Sequence, residues 1–527
     1  MDIPRLESLV HSISGKIVLL ILILPRVVPA QSDSIVYRSA FEKKVFIDVL
    51  FKKAVDNLLL LTVHDGDSAD FIEIQNELNS FYNYLTPKLK KKDTIANART
   101  IFNEVQKRFL VNYVDTASFT SVFMKSFNCV SGTALYAVVL DHYEIPYEIR
   151  ELPTHVYLVA FPKTNPLTFE STSRSGFAPD LKTKSNMVRG LVAKGLFSQE
   201  HVDEVGFTKA YDEYFFPRAI ISLRNLAGAQ YYNTSFHMRI QGDYRAALSE
   251  IRKCDILYQA GRNLFFKLDF LERILNNMPI DNAEMFQYVI DYTNLRNDEK
   301  NNQFTDEAFR GFLGKFLIRD SNEAMAREVY DNLIRGLKNP ALKTVIRTSF
   351  NGGYAHYYFA KSQYDQSLKY ATEAWEENSN DVTVQSLIIH SIISMNSVAS
   401  ASPLTIKKLN AAANKFPFFR TNSDVRLVYI LIYSSLSYAN FLADHEKEGN
   451  YYMNLMQKEM NDAGNSIERP ATVIGYAYAE GGAHYYREDD FKKALEIMNL
   501  GLKYAPGHPE VLERLKIVKE AMQRGSK

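Results

Sequence analysis

The sequence predicts two structural classes in one chain, an α+β domain followed by an all-α solenoid. The solenoid is predicted because apolar residues recur at helical spacing from about residue 216 onward, and three segments of that region repeat one another. The α+β domain is predicted because helical spacing between about residues 94 and 180 is interrupted by two strand-like runs around a turn. We therefore assign residues 1–30 to a signal peptide, 31–92 to an N-terminal helical segment, 93–200 to the α+β domain and 205–527 to helical repeats.

The composition of the 527-residue chain is typical of globular proteins, with 46% hydrophobic and 23% charged residues. Its 62 basic residues nearly balance its 61 acidic residues. Because nucleic-acid binding draws on an excess of positive charge, DNA and RNA are not expected as partners.

The first thirty residues have the pattern of an export signal. An unbroken aliphatic run at 17–24 follows Lys16, and a Val-Pro-Ala cleavage pattern ends at Ala30. The run is much shorter than the about 20 residues that a membrane-spanning helix needs. The long polar lead before Lys16 and the charge of Arg26 are atypical of such signals. We expect an exported protein, periplasmic or extracellular, without a stable membrane span.

The chain has only two cysteines, Cys129 and Cys254. An exported chain with so few cysteines lacks the disulfide framework of small secreted domains, so its stability must come from packing. The sequence leaves open whether the two thiols pair.

Three segments of the C-terminal region share a polar turn, an aromatic residue and then a small residue three places later. They begin at Gln241, Ser362 and Asp489. The pattern resembles the tetratricopeptide repeat, a helical hairpin of about 34 residues with small residues where its two helices cross. The matching positions of the last, middle and first copies are Gly482, Tyr485, Ala494, Gly501 and Pro506; Ala355, Tyr358, Ser367 and Ala374; and Tyr244, Ala247 and Cys254.

This resemblance implies that Cys254 is a small buried packing residue. Residues 306–342 and 425–460 also have hairpin length and are predicted to be divergent repeats. Such hairpins stack to bury their apolar faces, and the stack creates a concave groove. The groove is expected to hold a peptide or a partner protein, although it could instead rest on the other domain of the chain.

A helix is predicted to begin at Cys129. Apolar residues at 130, 134, 135, 138 and 139 have helical spacing, and the polar pair Asn128-Cys129 stands at the start. The positive end of a helix dipole and its free N–H groups favour a thiolate. The sequence therefore predicts an activated thiol at residue 129.

A strand hairpin is predicted to follow this helix. Its strands cover 155–161 and 167–170, around a proline-containing turn at 162–166. Symmetrical closure about the turn would place His155 directly opposite Glu170, with their Cβ atoms about 5 Å apart.

A helix-start thiol, a strand histidine and an opposed carboxylate are the three groups of nucleophilic thiol catalysis. Cys129 would attack a carbonyl carbon, His155 would take and return the proton, and Glu170 would fix the imidazole tautomer. Asn128 is a candidate oxyanion donor, with a helix-capping role as the alternative.

The chain order and the local sequences resemble the transglutaminase-like branch of the papain-related cysteine enzymes. The matching segments, which span roughly 90 residues, are Asn128-Cys129 entering a helix, Thr154-His155-Val156-Tyr157 opening a strand and Glu170-Ser171-Thr172 closing the next. The resemblance implies a nucleophile helix on a small antiparallel sheet and thioester chemistry at amide or ester carbonyls. Two departures are Glu170, where many members have Asp, and Val130, where animal transglutaminases have Trp.

These residues predict an exported thiol-dependent acyl-transfer or hydrolytic enzyme acting on protein, peptide or amide substrates. The alternative is a catalytically inactive scaffold whose repeats bind a partner protein. The two hypotheses differ in the accessibility and reactivity of Cys129.

No metal ion or cofactor is expected. A calcium loop starting at Asp65 is excluded because its sixth and twelfth positions hold Asp70 and Asn76 instead of glycine and glutamate. We predict instead a capping box formed by Asp70 and Glu73. The histidines do not stand at metal-binding spacing, and the sequence has no glycine-rich phosphate loop.

Overall fold

The structure is a computed structural model that describes residues 35–90, 94–152, 155–172, 181–215, 220–279, 282–396, 401–463 and 470–525. The predicted signal peptide lies outside these residues. The chain divides into two compact units, residues 1–278 and 279–527. This division places the first predicted repeat, around Tyr244, in the N-terminal unit. The domain boundaries given above stay predictions.

The N-terminal unit begins with four helices, α1 (Ala40–Leu50), α2 (Asn57–Thr62), α3 (Ser68–Leu85) and α4 (Thr94–Arg108). A capping box does start α3, but at different residues from those predicted. Asp67 is the N-cap and Asp70 is its partner, so Asp70 holds the second position of the box and Glu73 has no part in it. The carboxylate at Asp67 precedes the first apolar residue by the usual distance, which makes it the better N-cap.

Helix α5 (Cys129–His142) and a four-stranded antiparallel sheet follow, and they confirm the predicted helix start and hairpin. The strands are β3 (Tyr147–Leu152), β4 (His155–Ala160), β5 (Leu167–Phe169) and β6 (Ile220–Ile221), in the spatial order β5-β4-β3-β6. A separate parallel pair, β1 (Asn112–Tyr113) and β2 (Ser126–Phe127), directly precedes α5. Helix α5 is buried along most of its length and packs against β4.

The register of the β4-β5 hairpin differs from the predicted one by two residues. Leu158 pairs with Phe169, whereas symmetrical closure would have paired it with Leu167. His155 is therefore not directly opposite Glu170. Because side chains alternate faces with a period of two, an even shift leaves His155 and Glu170 on the same face of the sheet.

Six helices complete the N-terminal unit: α6 (Leu181–Ala193), α7 (Gln199–Val205), α8 (Phe207–Phe215), α9 (Leu223–Ile240), α10 (Tyr244–Leu257) and α11 (Gly261–Asn277). A buried ion pair fastens the sheet to α11, where Arg262 Nη2 lies 2.7 Å from Glu151 Oε1. A second buried cluster fastens α1 to α10, where Lys253 Nζ lies 3.0 Å from Glu42 and 2.9 Å from Glu250.

The C-terminal unit is built entirely from helices in its described residues. They are α12 (Met285–Leu295), α13 (Glu299–Leu313), a π-helical turn (Gly314–Arg319), α14 (Glu323–Gly336), α15 (Pro340–Ala360), α16 (Tyr364–Glu377), α17 (Val382–Met395), α18 (Pro403–Lys415), α19 (Ser423–Leu442), α20 (Glu446–Ala463), α21 (Ala471–Arg487), α22 (Phe491–Tyr504) and α23 (Pro509–Gly525). The divergent hairpin predicted at 306–342 begins earlier, at α13, and the one at 425–460 is α19-α20.

A turn with one left-handed residue joins the two helices in five of the described hairpins. In each turn one residue takes a left-handed conformation with φ between 53° and 81°, and these residues are Gly242, Ser321, Ser362, Asp444 and Asp489. In four of them the N–H of this residue donates to the carbonyl three residues earlier. A recurring local geometry at matching positions is what a helical repeat requires.

The small residues predicted at helix crossings lie where two helices touch. A Cβ atom at Gly501 of α22 would be 2.6 Å from Tyr478 Cβ of α21, and one at Gly482 would be 2.5 Å from Met498 Cγ. Ala355, Ala374 and Cys254 are fully buried at the equivalent crossings of the other hairpins. These positions must be small because the helix backbones approach closely there.

Alternate helices of the C-terminal unit form one layer. Helices α13, α15, α17, α19, α21 and α23 each contact the next in that series. Helices α16, α20 and α22 pack on their hairpin partners, while α14 packs on α12, α15 and the π-helical turn. The shared core runs from Ala355 to Val518. The C-terminal unit therefore has a largely helical, repeat-like architecture.

Helix α19 has the length and apolar composition to cross a membrane, which the sequence analysis did not predict. Its mean hydropathy reaches 1.3, and about half of the apolar stretch (56%) is buried inside the protein. Ser434 and Ser437 are fully buried there and bond to the backbone of α19 and α20. A core helix of a helical stack has the same composition.

Candidate active site

The start of helix α5 is fixed by a reciprocal cap around Cys129. The Asn128 Oδ1 atom accepts the Ser131 N–H at 2.9 Å, and Ser131 Oγ accepts the Asn128 N–H at 2.9 Å. Cys129 is therefore the first residue of the helix and its side chain is half-buried. This places the sulfur at the positive end of the helix dipole, as the sequence predicted.

Asn128 has the capping role and not the predicted oxyanion role. Its Nδ2 atom donates to the carbonyl oxygens of Asp115, at 3.0 Å, and Ala117, at 2.7 Å. The side chain is 4% exposed. Because both amide hydrogens and the amide oxygen are already engaged, no side-chain N–H remains to stabilise an oxyanion.

The imidazole of His155 and the carboxylate of Glu170 meet across the hairpin. Both Glu170 oxygens lie 2.8 Å from His155 Nε2. Thr172 donates to Glu170 Oε1 from its N–H, at 3.0 Å, and from its hydroxyl, at 3.2 Å. A carboxylate at Nε2 favours the tautomer with the proton on Nε2, which leaves the lone pair on Nδ1 to act as a base.

The thiol lies beside the start of strand β4, at Val156, the residue that follows His155. The backbone of Val156 forms a hydrogen bond with the Cys129 sulfur, and Thr133 Oγ1 donates to the Val156 carbonyl at 3.2 Å. No hydrogen bond joins the sulfur to the imidazole, although the structure describes both side chains. Contacts between catalytic groups are often longer without substrate than in the reacting complex.

The pKa of the Cys129 thiol is raised above its usual value. Burial is the largest cause; hydrogen bonds from the backbone at Val156, Val130 and Cys129 itself lower the pKa, and the Glu170 carboxylate raises it. The backbone hydrogen bonds at the helix start thus lower the thiol pKa, as predicted, but burial raises it by more. Formation of a thiolate at this position therefore needs a proton acceptor. His155 is the base on β4, the strand that the sulfur contacts.

Tyr113 interacts electrostatically with Cys129, and the sequence analysis did not identify this residue. Burial raises the pKa of its phenol, with further contributions from Cys129 and from the Asp115 side chain, to which the phenol is hydrogen-bonded. Tyr113 belongs to the two-residue strand β1, which pairs with β2 just before Cys129. Strands of two residues have no detectable periodicity, so only the parallel pairing brings this residue to the site.

Gly132 allows the first turn of α5 to approach the end of β5. A Cβ atom at this position would be 2.8 Å from Ser171 Cβ and 3.2 Å from a ring carbon of Phe127. Ser171 directly follows Glu170, so this contact holds the carboxylate strand against the cysteine helix.

A Gly132→Ala substitution is expected to destabilise the N-terminal unit by about 1–3 kcal/mol, because an overpacked contact forces the backbone apart. Alkylation of Cys129 should also slow as α5 moves away from β4 and β5. Thermal unfolding and the rate of iodoacetamide modification test this. The matched control is Gly352→Ala, where the nearest atom would be 3.9 Å away. Equal effects of the two substitutions would show that the close contact is unimportant.

Cys254 is less accessible than Cys129. It is fully buried, its sulfur is 3.7 Å from Asn263 Oδ1, and burial raises its pKa to about 12. Neither cysteine forms a disulfide. Among the described residues, no group of three histidine, cysteine or acidic side chains is arranged to hold a metal ion.

Comparison with known proteins does not identify a family for this chain. No family model matches the sequence, and no curated protein matches it. A solved structure, the tetratricopeptide domain of P58(IPK), is similar to 65% of this chain and 99% of its own, with 11% identity and a TM-score of 0.19. That score is too low to establish a shared fold, so the helical repeat rests on the hairpin geometry described above.

Proposed function

We propose that this chain is an exported thiol-dependent enzyme of transglutaminase-like type, which transfers or hydrolyses acyl groups of protein, peptide or amide substrates. The observation that carries the proposal is the His155-Glu170 pair at 2.8 Å. His155 begins β4, the strand whose Val156 backbone is hydrogen-bonded to the Cys129 sulfur, and Glu170 directly follows β5. The export part rests on the aliphatic run at 17–24 and the pattern that ends at Ala30.

In the proposed reaction, His155 Nδ1 accepts the thiol proton as the sulfur of Cys129 attacks the carbonyl carbon. A carbon–sulfur bond forms, the bond to the amine or alcohol breaks, and the imidazolium returns its proton to that leaving group. Water then releases the acid, or an amine receives the acyl group. Glu170 keeps the imidazole oriented and stabilises its positive charge. The Cys129 backbone N–H is a candidate donor to the oxyanion.

The helical hairpins would hold a protein or peptide in this proposal, either as the substrate or as a partner. Stacked helical hairpins present an extended surface that suits such ligands. This part of the proposal is independent of the catalytic residues, because a repeat surface binds a partner whether or not the thiol reacts.

An activated ester tests the acyl-enzyme directly. With p-nitrophenyl acetate, we expect an acetyl group on Cys129, found by mass spectrometry of peptides, and a continued release of nitrophenol. Cys129→Ala should abolish both, whereas the control Cys254→Ala should retain both. Iodoacetamide should modify Cys129 much faster than Cys254. Equal rates for the two thiols, or acetylation that persists in Cys129→Ala, would contradict the proposal.

An inactive scaffold is the alternative, and one observation favours it. Burial raises the pKa of the Cys129 thiol, so the thiol is mostly protonated near neutral pH unless the imidazole takes its proton. If Cys129 forms no acyl adduct while the chain still captures a partner through its repeats, the scaffold is correct.

A further inference from the structure

Helices α16, α17 and α18 line a small cavity of the C-terminal unit that is partly open to solvent. Its volume is about 340 Å³, near the lower limit for cavities that bind small molecules. The lining residues are Leu368, Thr372, Ile392, Met395, Asn396, Lys408, Ala411, Ala412, Lys415 and Phe416. Six of these side chains are apolar, so the cavity favours a hydrocarbon group.

Two lysines give the cavity its charge. Lys408 and Lys415 are seven residues apart on α18 and therefore lie on the same face of that helix. No carboxylate lines the cavity. Both lysines are exposed, and among the described residues neither ammonium group forms an ion pair; the Lys415 ammonium lies 5.2 Å from the centre of the Phe416 ring. An anion at the cavity mouth would pair with these two solvated ammonium groups.

The polar groups inside are nearly all engaged with the helices that carry them. Thr372 donates to the Leu368 carbonyl at 2.8 Å, and Asn396 Nδ2 donates to the Ile392 carbonyl at 2.8 Å. The Thr372 hydroxyl hydrogen and one of the two Asn396 amide hydrogens are therefore not available to a polar ligand. Recognition rests mainly on the apolar walls and on the two ammonium groups at the edge.

We propose that this cavity binds a medium-chain alkyl carboxylate, with its chain among Leu368, Ile392 and Phe416 and its carboxylate near Lys408 and Lys415. A methylene group needs about the volume of a water molecule, about 30 Å³, so the cavity holds a chain of about ten carbon atoms. A cationic amphiphile would place its charge beside two lysines. A neutral one would lose the charge pairing.

The single tryptophan of the chain is placed to report binding. Trp375 packs edge-on against Phe416, with ring centres 5.3 Å apart. Phe416 in turn lines the cavity and is 2% exposed. A chain that displaces the Phe416 ring should therefore change the fluorescence of Trp375 without any introduced label.

The test titrates the full-length protein with decanoate and decyltrimethylammonium below their micelle concentrations, and with decanol below its solubility limit, by tryptophan fluorescence and calorimetry. Decanoate is expected to bind about threefold to tenfold more tightly than the other two, since each of two exposed lysines contributes less than one factor of ten. A neutral, apolar helical peptide serves as the fourth probe. Preferential binding of that peptide would overturn the proposal in favour of a protein-docking site.

Lys408→Gln/Lys415→Gln should weaken decanoate binding about threefold to tenfold and leave decanol binding unchanged. The control is Lys407→Gln, since Lys407 is exposed and does not line the cavity. Ala412→Leu, which fills the cavity, should weaken both ligands. Decanoate binding that is unaffected by both the lysine and the alanine substitutions, or no binding in either measurement, would refute the site.

Discussion

An Arg262→Met substitution is expected to lower the free energy of unfolding by about 3–5 kcal/mol, because it leaves the buried carboxylate of Glu151 without its counter-charge. The Arg262 and Glu151 side chains are 2% and 4% exposed. The other Glu151 oxygen accepts a hydrogen bond from Tyr258, which cannot compensate a full charge. The guanidinium also stacks on the rings of Tyr232 and Tyr258, so its packing is lost as well.

Chemical unfolding followed by circular dichroism measures this effect. The control Lys53→Met removes an exposed ion pair with Asp48 and should change stability far less. Glu151→Gln combined with Arg262→Met should recover part of the loss, since no uncompensated charge remains. If the single and double variants are equally destabilised, the loss comes from packing and not from the unpaired carboxylate.

The Arg262-Glu151 ion pair also lies close to the candidate active site. Glu151 lies on β3, and the next residue, Leu152, pairs with His155 on β4. Arg262 therefore fixes the strand beside the candidate base. We expect the Arg262→Met protein to show slower alkylation of Cys129 even at temperatures where it remains folded.

The second large effect is expected at the thiol itself. His155→Ala should slow the alkylation of Cys129 at about pH 6 by about tenfold. An imidazolium partner that lowers a thiol pKa by about two units increases the thiolate fraction about 100-fold. The lower basicity of that thiolate reduces its intrinsic reactivity about tenfold, which leaves about one factor of ten.

The pH profile separates this mechanism from a general loss of structure. In the wild-type protein, the alkylation rate should reach its plateau about two pH units below the pH at which it does so in His155→Ala, because the imidazolium partner lowers the thiol pKa by about that amount. In His155→Ala, the rate should rise tenfold per pH unit, since burial raises the pKa of an unpaired Cys129 thiol. A wild-type profile that rises in the same way would show that His155 does not take the proton.

Two further variants serve as controls. Glu170→Gln keeps the shape of the side chain and removes its charge. The difference in plateau pH from His155→Ala should therefore become smaller without disappearing. His201→Ala removes another histidine paired with a glutamate in the same unit, where His201 Nε2 lies 2.7 Å from Glu213. It should leave the profile unchanged, and a matching loss there would point to an indirect effect of any histidine substitution.

Local sequence determined the elements that carry the candidate site. Asn128 followed by regularly spaced apolar residues placed the start of α5 at Cys129, and the proline-containing turn placed β4 and β5 on either side of it. The turn-aromatic-small pattern located the hairpins at Tyr244, Tyr364 and Phe491. These predictions succeeded because capping, turns and helical periodicity depend on neighbours within a few residues.

Tertiary structure decided what those elements do together. The strand register, displaced by two residues, depends on how side chains fill the space under α5, and the role of Asn128 depends on the carbonyls of a loop eleven or more residues away. Burial raises the pKa of the Cys129 thiol. The interaction of Tyr113 with that thiol and the cavity beside Lys408 likewise depend on how separate segments pack. Burial is a sum over contacts between distant segments, so the spacing of residues along the chain cannot determine it.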